Sequence, residues 1–148
     1  MSVHAVSADD LNDLQPLFRD YLDFYQVSKT PGQVREFLDE RLRRGDSYLL
    51  IARHEQGAAQ GFVQLYPLLD SLELRPCWLL NDLYVAPEHR RHGVGEALLE
   101  AARAHAQATG ACALQLDTAK SNTAAQSLYE RLGYIRDVAF YTYRLDVH

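Results

Sequence analysis

The chain has 148 residues, 47% of them hydrophobic and 24% charged, with a formal net charge of −5. That is one domain's worth of sequence with an ordinary globular composition, and its acidic balance argues against nucleic acid, whose phosphates need a basic face. No apolar run approaches the roughly 20 residues that span a bilayer, the start carries no basic and apolar leader, and the two cysteines are too few and too far apart for a disulfide framework or a zinc site, so a cytoplasmic, metal-free protein is expected.

In chain order, Val3 to Val6 is a short strand candidate, and Ser7 stands three residues before Asp10 as a helix start. Leu11, Leu14, Leu17, Phe18, Tyr21 and Phe24 recur at helical spacing, which predicts an amphipathic helix over Asp9 to Tyr25. Thr30, Pro31 and Gln33 combine an N-cap, a first-turn proline and a capping-box glutamine. A second helix is therefore expected from Pro31 to Arg44, with Val34, Phe37, Leu38 and Leu42 inward and Gly45 ending it.

From Ser47 the period changes to that of strands. Tyr48 to Arg53 and Ala59 to Tyr66 read as a hairpin, Pro67 to Pro76 as a longer connection, and Trp78 to Val85 as a buried strand stopped by Pro87. Val94 to Thr109 is rich in alanine and leucine and predicts a helix capped by Gly110. Ala113 to Asp117 is a strand able to lie parallel to Trp78–Val85. Thr123 to Leu132 predicts a fourth helix, and Tyr134 to Val138 and Phe140 to Leu145 two closing strands. Cys77 and Cys112 each begin a strand, where a buried thiol is expected. No repeat or linker interrupts the chain, so residues 1–148 read as a single mixed α/β domain.

The stretch from Asn81 to Leu99 carries the chemistry. Strand, basic turn and helix start follow in that order, and first-turn N–H groups with the macrodipole make an anion site. Gly93 and Gly95 allow close backbone approach, while Arg90 and Arg91 can add charge-assisted hydrogen bonds. A nucleotide-triphosphate loop fits poorly, because Glu96 and Ala97, not Lys and Ser or Thr, follow Gly95. A dinucleotide fingerprint fits poorly as well, because Leu98 holds its third glycine position.

Arg90-x-x-Gly93-x-Gly95 after the Asp82-Leu83-Tyr84-Val85 strand resembles the acetyl-coenzyme A signature of the GNAT superfamily of N-acetyltransferases. Asn122, Ala125, Leu128, Tyr129, Glu130, Gly133 and Tyr134 resemble the superfamily's second signature, in the same order and spacing. The Asn81–Val85 strand together with Tyr21, Phe24 and Tyr25 is similar to the branch containing the yeast histone and polyamine acetyltransferase. The resemblance implies a twisted mixed sheet of about seven strands flanked by four helices, its two central parallel strands splayed apart.

It also implies roles. Backbone groups of Arg91, His92, Gly93, Val94, Gly95 and Glu96, with the Arg90 side chain, would hold the coenzyme A pyrophosphate. Leu83, Tyr84 and Val85 would pair with the pantetheine arm as an added strand does, Asn122 would hydrogen-bond that arm, and Tyr129 would sit near its sulfur. Thr123 and Gln126 read as a capping box that leaves Asn122 free for a ligand.

The reaction so implied is acetyl transfer to a small-molecule, polyamine-like or protein amine, which an acidic surface attracts. A strand amide near Leu83 or Tyr84 would stabilise charge on the carbonyl oxygen. A phenol with pKa about 10, Tyr129, suits protonation of the leaving thiolate. Asp82 is read either as the base, directly or through a water held with Asn81, or as a fixed counter-charge for the ammonium. Strict alternation sets Asn81 with Leu83 and Asp82 with Tyr84 on opposite faces, and a bulge would upset that count. Tyr21, Phe24 and Tyr25 are read either as an aromatic wall of the acceptor pocket that suits a cation or, more plainly, as a core Phe24 covered by one of the tyrosines. His89 and His92 read as exposed turn residues and His105 as a core-edge residue. Rival readings are a non-catalytic coenzyme A sensor and a transferase of a longer acyl group. The aromatic residues of Tyr134 to Leu145 suggest a homodimer built by sheet extension.

Overall fold

The computed structural model describes residues 1–148 and divides into two compact units, Met1–Leu116 and Asp117–His148. The first holds β1 (Ser2–Ala5), α1 (Leu11–Phe24), α2 (Pro31–Arg44), β2 (Tyr48–Arg53), β3 (Ala59–Asp70), β4 (Arg75–Val85), α3 (Val94–Ala108) and β5 (Leu114–Gln115). The second holds α4 (Thr123–Arg131). The sheet is five-stranded in the order β1-β2-β3-β4-β5, antiparallel except for the β4–β5 pair.

Local chemistry accounts for the element ends. The Asp10 carboxylate accepts the Ser7 N–H at 2.9 Å and so closes the turn that leads into α1. Thr30 Oγ1 accepts the Gln33 N–H and Gln33 Oε1 accepts the Thr30 N–H, the reciprocal pair of a capping box. Gly45 ends α2 at φ 62°, a left-handed position that glycine occupies without steric cost.

Alternation along the strands sends Leu49 and Ile51 of β2, Phe62 of β3 and Tyr84 of β4 to one face of the sheet. There they form a single cluster with Leu11, Leu14, Leu17 and Phe18 of α1 and Val34 and Leu38 of α2. Alternation points Leu50, Val63, Leu65 and Leu80, all buried, to the other face, over which α3 packs with Leu98, Leu99 and Ala102. Gly61 is required where β3 meets β4, because a Cβ there would lie 2.6 Å from the Tyr84 carbonyl oxygen.

Three expectations change. The Pro67–Pro76 connection is mostly strand: β3 and β4 run on as a ribbon pairing Pro67 with Trp78 and Asp70 with Arg75, and only residues 71–74 turn. The parallel strand shortens to Leu114–Gln115. The two closing strands are absent, and residues 134–148 form no ladder, so the sheet has five strands rather than about seven. A local turn explains part of this. The Asp137 carboxylate accepts the N–H groups of Ala139 and Phe140, at 3.3 and 3.0 Å, which competes with strand pairing at the hairpin position.

Candidate functional site

The turn after β4 is built to expose main-chain donors. Pro87 opens a short 3-10 turn through His89, after which Arg91 at φ 64° and Gly93 at φ 77° adopt left-handed conformations. Gly93 is the N-cap of α3 and supplies no capping side chain. The first turn of this 15-residue helix therefore keeps donors that a Ser, Thr or Asp cap would take up. Arg90 braces the approach: its Nε donates to the Val85 carbonyl at 3.0 Å, and its guanidinium lies 5.6 Å from the centre of the Tyr84 ring.

Strand β4 carries a second row of backbone groups without a strand partner, of which the Val85 carbonyl is taken by Arg90. Its parallel partner pairs only at Trp78–Leu114 and Leu79–Gln115, while β4 itself continues to Val85. The edge from Leu80 to Val85 thus faces no strand on the β5 side. Glycine at the cap, left-handed backbone at Arg91 and an unladdered β4 edge together fit a diphosphate joined to an amide-bearing arm.

On the α1/α2 side of the same strand lies a buried carboxylate. Gln64 pairs with Asp82 and Leu65 with Leu80, so Asn81 is the extra residue of a bulge. Asp82 faces α1, on the Tyr84 side, and the bulge brings the Asn81 amide beside it. Asp82 is 6% exposed and accepts three hydrogen bonds: Tyr21 Oη at 2.8 Å and Asn81 Nδ2 at 3.1 Å on Oδ1, and Gln64 Nε2 at 2.8 Å on Oδ2. Ser47 Oγ donates to Gln64 Oε1 at 2.8 Å, which fixes the amide's orientation.

Asp82 and Asn81 line a cavity of about 410 Å³ walled by Phe18, Leu22, Val34, Phe37 and Tyr66, with Lys29 and Gln33 also on it. Burial, then the Asp82 charge, raises the Tyr21 phenol far above its ordinary value and pushes Tyr66 up to about 12. Both rings are therefore O–H donors at neutral pH.

The structure places the other anticipated residues as follows. Tyr25 packs edge-on against Tyr21 at 5.3 Å and is half exposed. Phe24, the last residue of α1, is 58% exposed and not core. Asn122 caps α4, its side chain accepting the Ala125 N–H at 3.2 Å. Gln126 instead donates to the carbonyls of Ala119 and Lys120, so the expected Thr123–Gln126 box does not form. Tyr129 stands on α4 with its ring 5.8 Å from that of Tyr134. His105 stacks flat on Tyr48 at 3.4 Å, and burial lowers its pKa.

Sequence reasoning missed Ser47, Gln64, Tyr66, Lys29 and Gln33 as site residues. One signal was present: Gln64 interrupts an inward-facing row of Phe62 and Tyr66, where an amide needs a buried partner.

Comparison with known proteins bears on this geometry. Residues 14–134 match the family described as Acetyltransferase (GNAT) family. The chain is 39% identical over 147 residues to YhfO of Bacillus subtilis (strain 168), described as an uncharacterized N-acetyltransferase, covering 99% of this chain and 98% of that one. It is 28% identical over 143 residues to the D-amino-acid N-acetyltransferase HPA3 of Saccharomyces cerevisiae, covering 94% of this chain and 88% of the relative. A crystal structure of a probable acetyltransferase matches with a TM-score of 0.94 at 38% identity, covering 100% of this chain and 99% of that one. A helix start with no side-chain cap, a strand edge without a ladder partner and a family match over most of the chain agree: the protein belongs to the GNAT family of acetyltransferases.

Proposed function

We propose that residues 1–148 act as a single N-acetyltransferase domain that moves an acetyl group from acetyl-coenzyme A to a primary amine seated against Asp82. One observation carries the reading most: a carboxylate 94% withdrawn from solvent faces a cavity with acceptor capacity left over. A carboxylate has about four lone-pair sites and three are engaged, which leaves one for an ammonium N–H. A module that only sensed coenzyme A has no use for such a cavity.

The division of labour follows from the residues. Main-chain donors of Arg91 to Glu96 bind the diphosphate, and the β4 edge at Leu83 to Val85 takes the amide-bearing arm. An N–H of that edge faces the thioester oxygen, where negative charge grows as the amine nitrogen attacks the carbonyl carbon. The C–N bond forms, the C–S bond breaks, the nitrogen releases its proton to solvent, and the departing thiolate takes one up. Tyr129 is the proposed donor of that proton, on the strength of the family motif and its phenol. Asp82 serves as the fixed counter-charge rather than the base, because three donors already hold both of its oxygens. Asn81 shares the Asp82 oxygen that Tyr21 uses, and Tyr21 with Tyr25 forms the aromatic wall beyond it.

Two wider readings accompany this one. Free thiols at Cys77 and Cys112 support a cytoplasmic protein. Exposed Phe140, Tyr141, Tyr143 and Leu145 support a homodimer made through the last residues, checked by light scattering.

Thiol release from acetyl-coenzyme A in the presence of primary amines tests the function, alongside thermal protection by acetyl-coenzyme A alone. Protection without turnover would identify a sensor, turnover only with longer acyl donors a different transferase, and no protection would remove the diphosphate site. Tyr129→Phe is expected to lower kcat about 10² to 10⁴-fold with acetyl-coenzyme A affinity retained.

A further inference from the structure

Resting on the reading of the cavity as the acceptor site, we infer that the acceptor is a small zwitterionic amine: an ammonium group, an apolar body and a carboxylate. The cavity is polar at two places of opposite character. Asp82 presents acceptor capacity at β4, and its other neighbours there (Tyr21, Asn81 and Gln64) all donate to it. The start of α2 presents the reverse. Lys29 is an exposed ammonium on the cavity lining. Gln33 is oriented by the capping box: its Oε1 is held by the Thr30 N–H at 2.9 Å, so the end of the amide left for a ligand is the donor Nε2. Both sit in the first turn of a 14-residue helix or just before it, where the macrodipole favours negative charge.

Between these ends the lining is apolar and aromatic: Phe18, Leu22, Val34, Phe37 and the ring of Tyr66. A polyamine fits this arrangement poorly. Its first ammonium can meet Asp82, but a second in the same cavity meets Lys29 and the donor end of Gln33, and no second carboxylate lines the wall. A monoamine without an anionic group leaves Lys29 and Gln33 unused. An amine that carries a carboxylate across an apolar body meets both ends, and that body covers the aromatic wall. The amino nitrogen attacks the thioester carbonyl as before, and the carboxylate takes no part in bond making.

The test measures kcat/KM at saturating acetyl-coenzyme A for L-leucine, D-leucine, 5-aminopentanoate, isoamylamine (leucine without its carboxylate) and spermidine, in the native protein and in Lys29→Glu. The expected result is that at least one carboxylate-bearing amine exceeds isoamylamine and spermidine by about tenfold or more, a step worth 1.4 kcal/mol. Lys29→Glu is expected to lower that amine's kcat/KM at least about tenfold more than isoamylamine's. Lys29 is exposed, so the variant keeps its fold, checked by its melting temperature. Isoamylamine or spermidine turned over best, or a Lys29→Glu effect equal on all amines, would overturn the zwitterion and leave the transferase standing. No turnover of any amine, with no thermal protection by acetyl-coenzyme A, would overturn both.

Discussion

Gln64 and Asp82 stand directly opposite one another on β3 and β4, and the Gln64 amide donates to Asp82 Oδ2 across the ladder at 2.8 Å. The pair ties the cavity beside Asp82 to the middle of the sheet. Gln64 is fully buried and has Ser47 on its other end, so the carboxylate is positioned by a chain of bonds reaching back to the residue just before β2. Gln64→Leu should cost about 1–3 kcal/mol of stability, since it strands a buried acceptor. It should raise KM for the amine more than it lowers kcat. Chemical denaturation and steady-state kinetics check both.

Asp82→Asn separates counter-charge from base. With the carboxylate gone, KM for the amine should rise about tenfold or more. If Asp82 only holds the ammonium, the alkaline rise of kcat/KM with amine deprotonation persists in the variant. Loss of that limb would make Asp82 the base.

The same substitution should be visible in the tyrosines. Burial first and the Asp82 charge second raise Tyr21 and push Tyr66 up to about 12. Removing the charge lowers both, so phenolate absorbance should appear at lower pH in Asp82→Asn than in the native protein. An unchanged titration would mean that burial alone sets them.

Acid stability should depend on Asp10. Burial pushes its pKa up, but the Ser7 amide, Arg53 at 2.8 Å and His4 outweigh that and bring it from 3.8 to about 2. The folded pKa is thus depressed. Its contribution is fully present above the unfolded value and is lost as pH falls from about 4 towards 2, amounting to about 2 kcal/mol. Asp10→Asn should show that loss at pH 7 and a flatter acid limb in denaturation midpoints.

Two glycines should fail for different reasons. Gly61→Ala places a Cβ against the Tyr84 carbonyl and should cost about 1–3 kcal/mol or more through overpacking, read from the melting temperature. At Gly93 nothing of the protein lies within 4 Å of an added Cβ, so Gly93→Ala should cost only about 1–2 kcal/mol of left-handed strain. Its larger effect should be on acetyl-coenzyme A affinity, measured by calorimetry.

Much of this molecule is written locally. Thr30, Pro31 and Gln33 announce the start of α2 and Gly45 its end, and both boundaries appear where capping chemistry puts them. The glycine-spaced turn before Val94 likewise announces an uncapped helix start, because left-handed backbone and a missing side chain are properties of residues within a few positions of each other. What only the tertiary structure decided are relations between distant segments. The bulge at Asn81, the facing of Gln64 with Asp82, and Tyr21 reaching Asp82 across 61 positions depend on register and helix packing, which no window of sequence contains. The last strands show the converse: alternation through Tyr141, Tyr143 and Leu145 is a strand pattern, but a strand exists only where a ladder partner exists, and the Asp137 turn competes for the amides it would need.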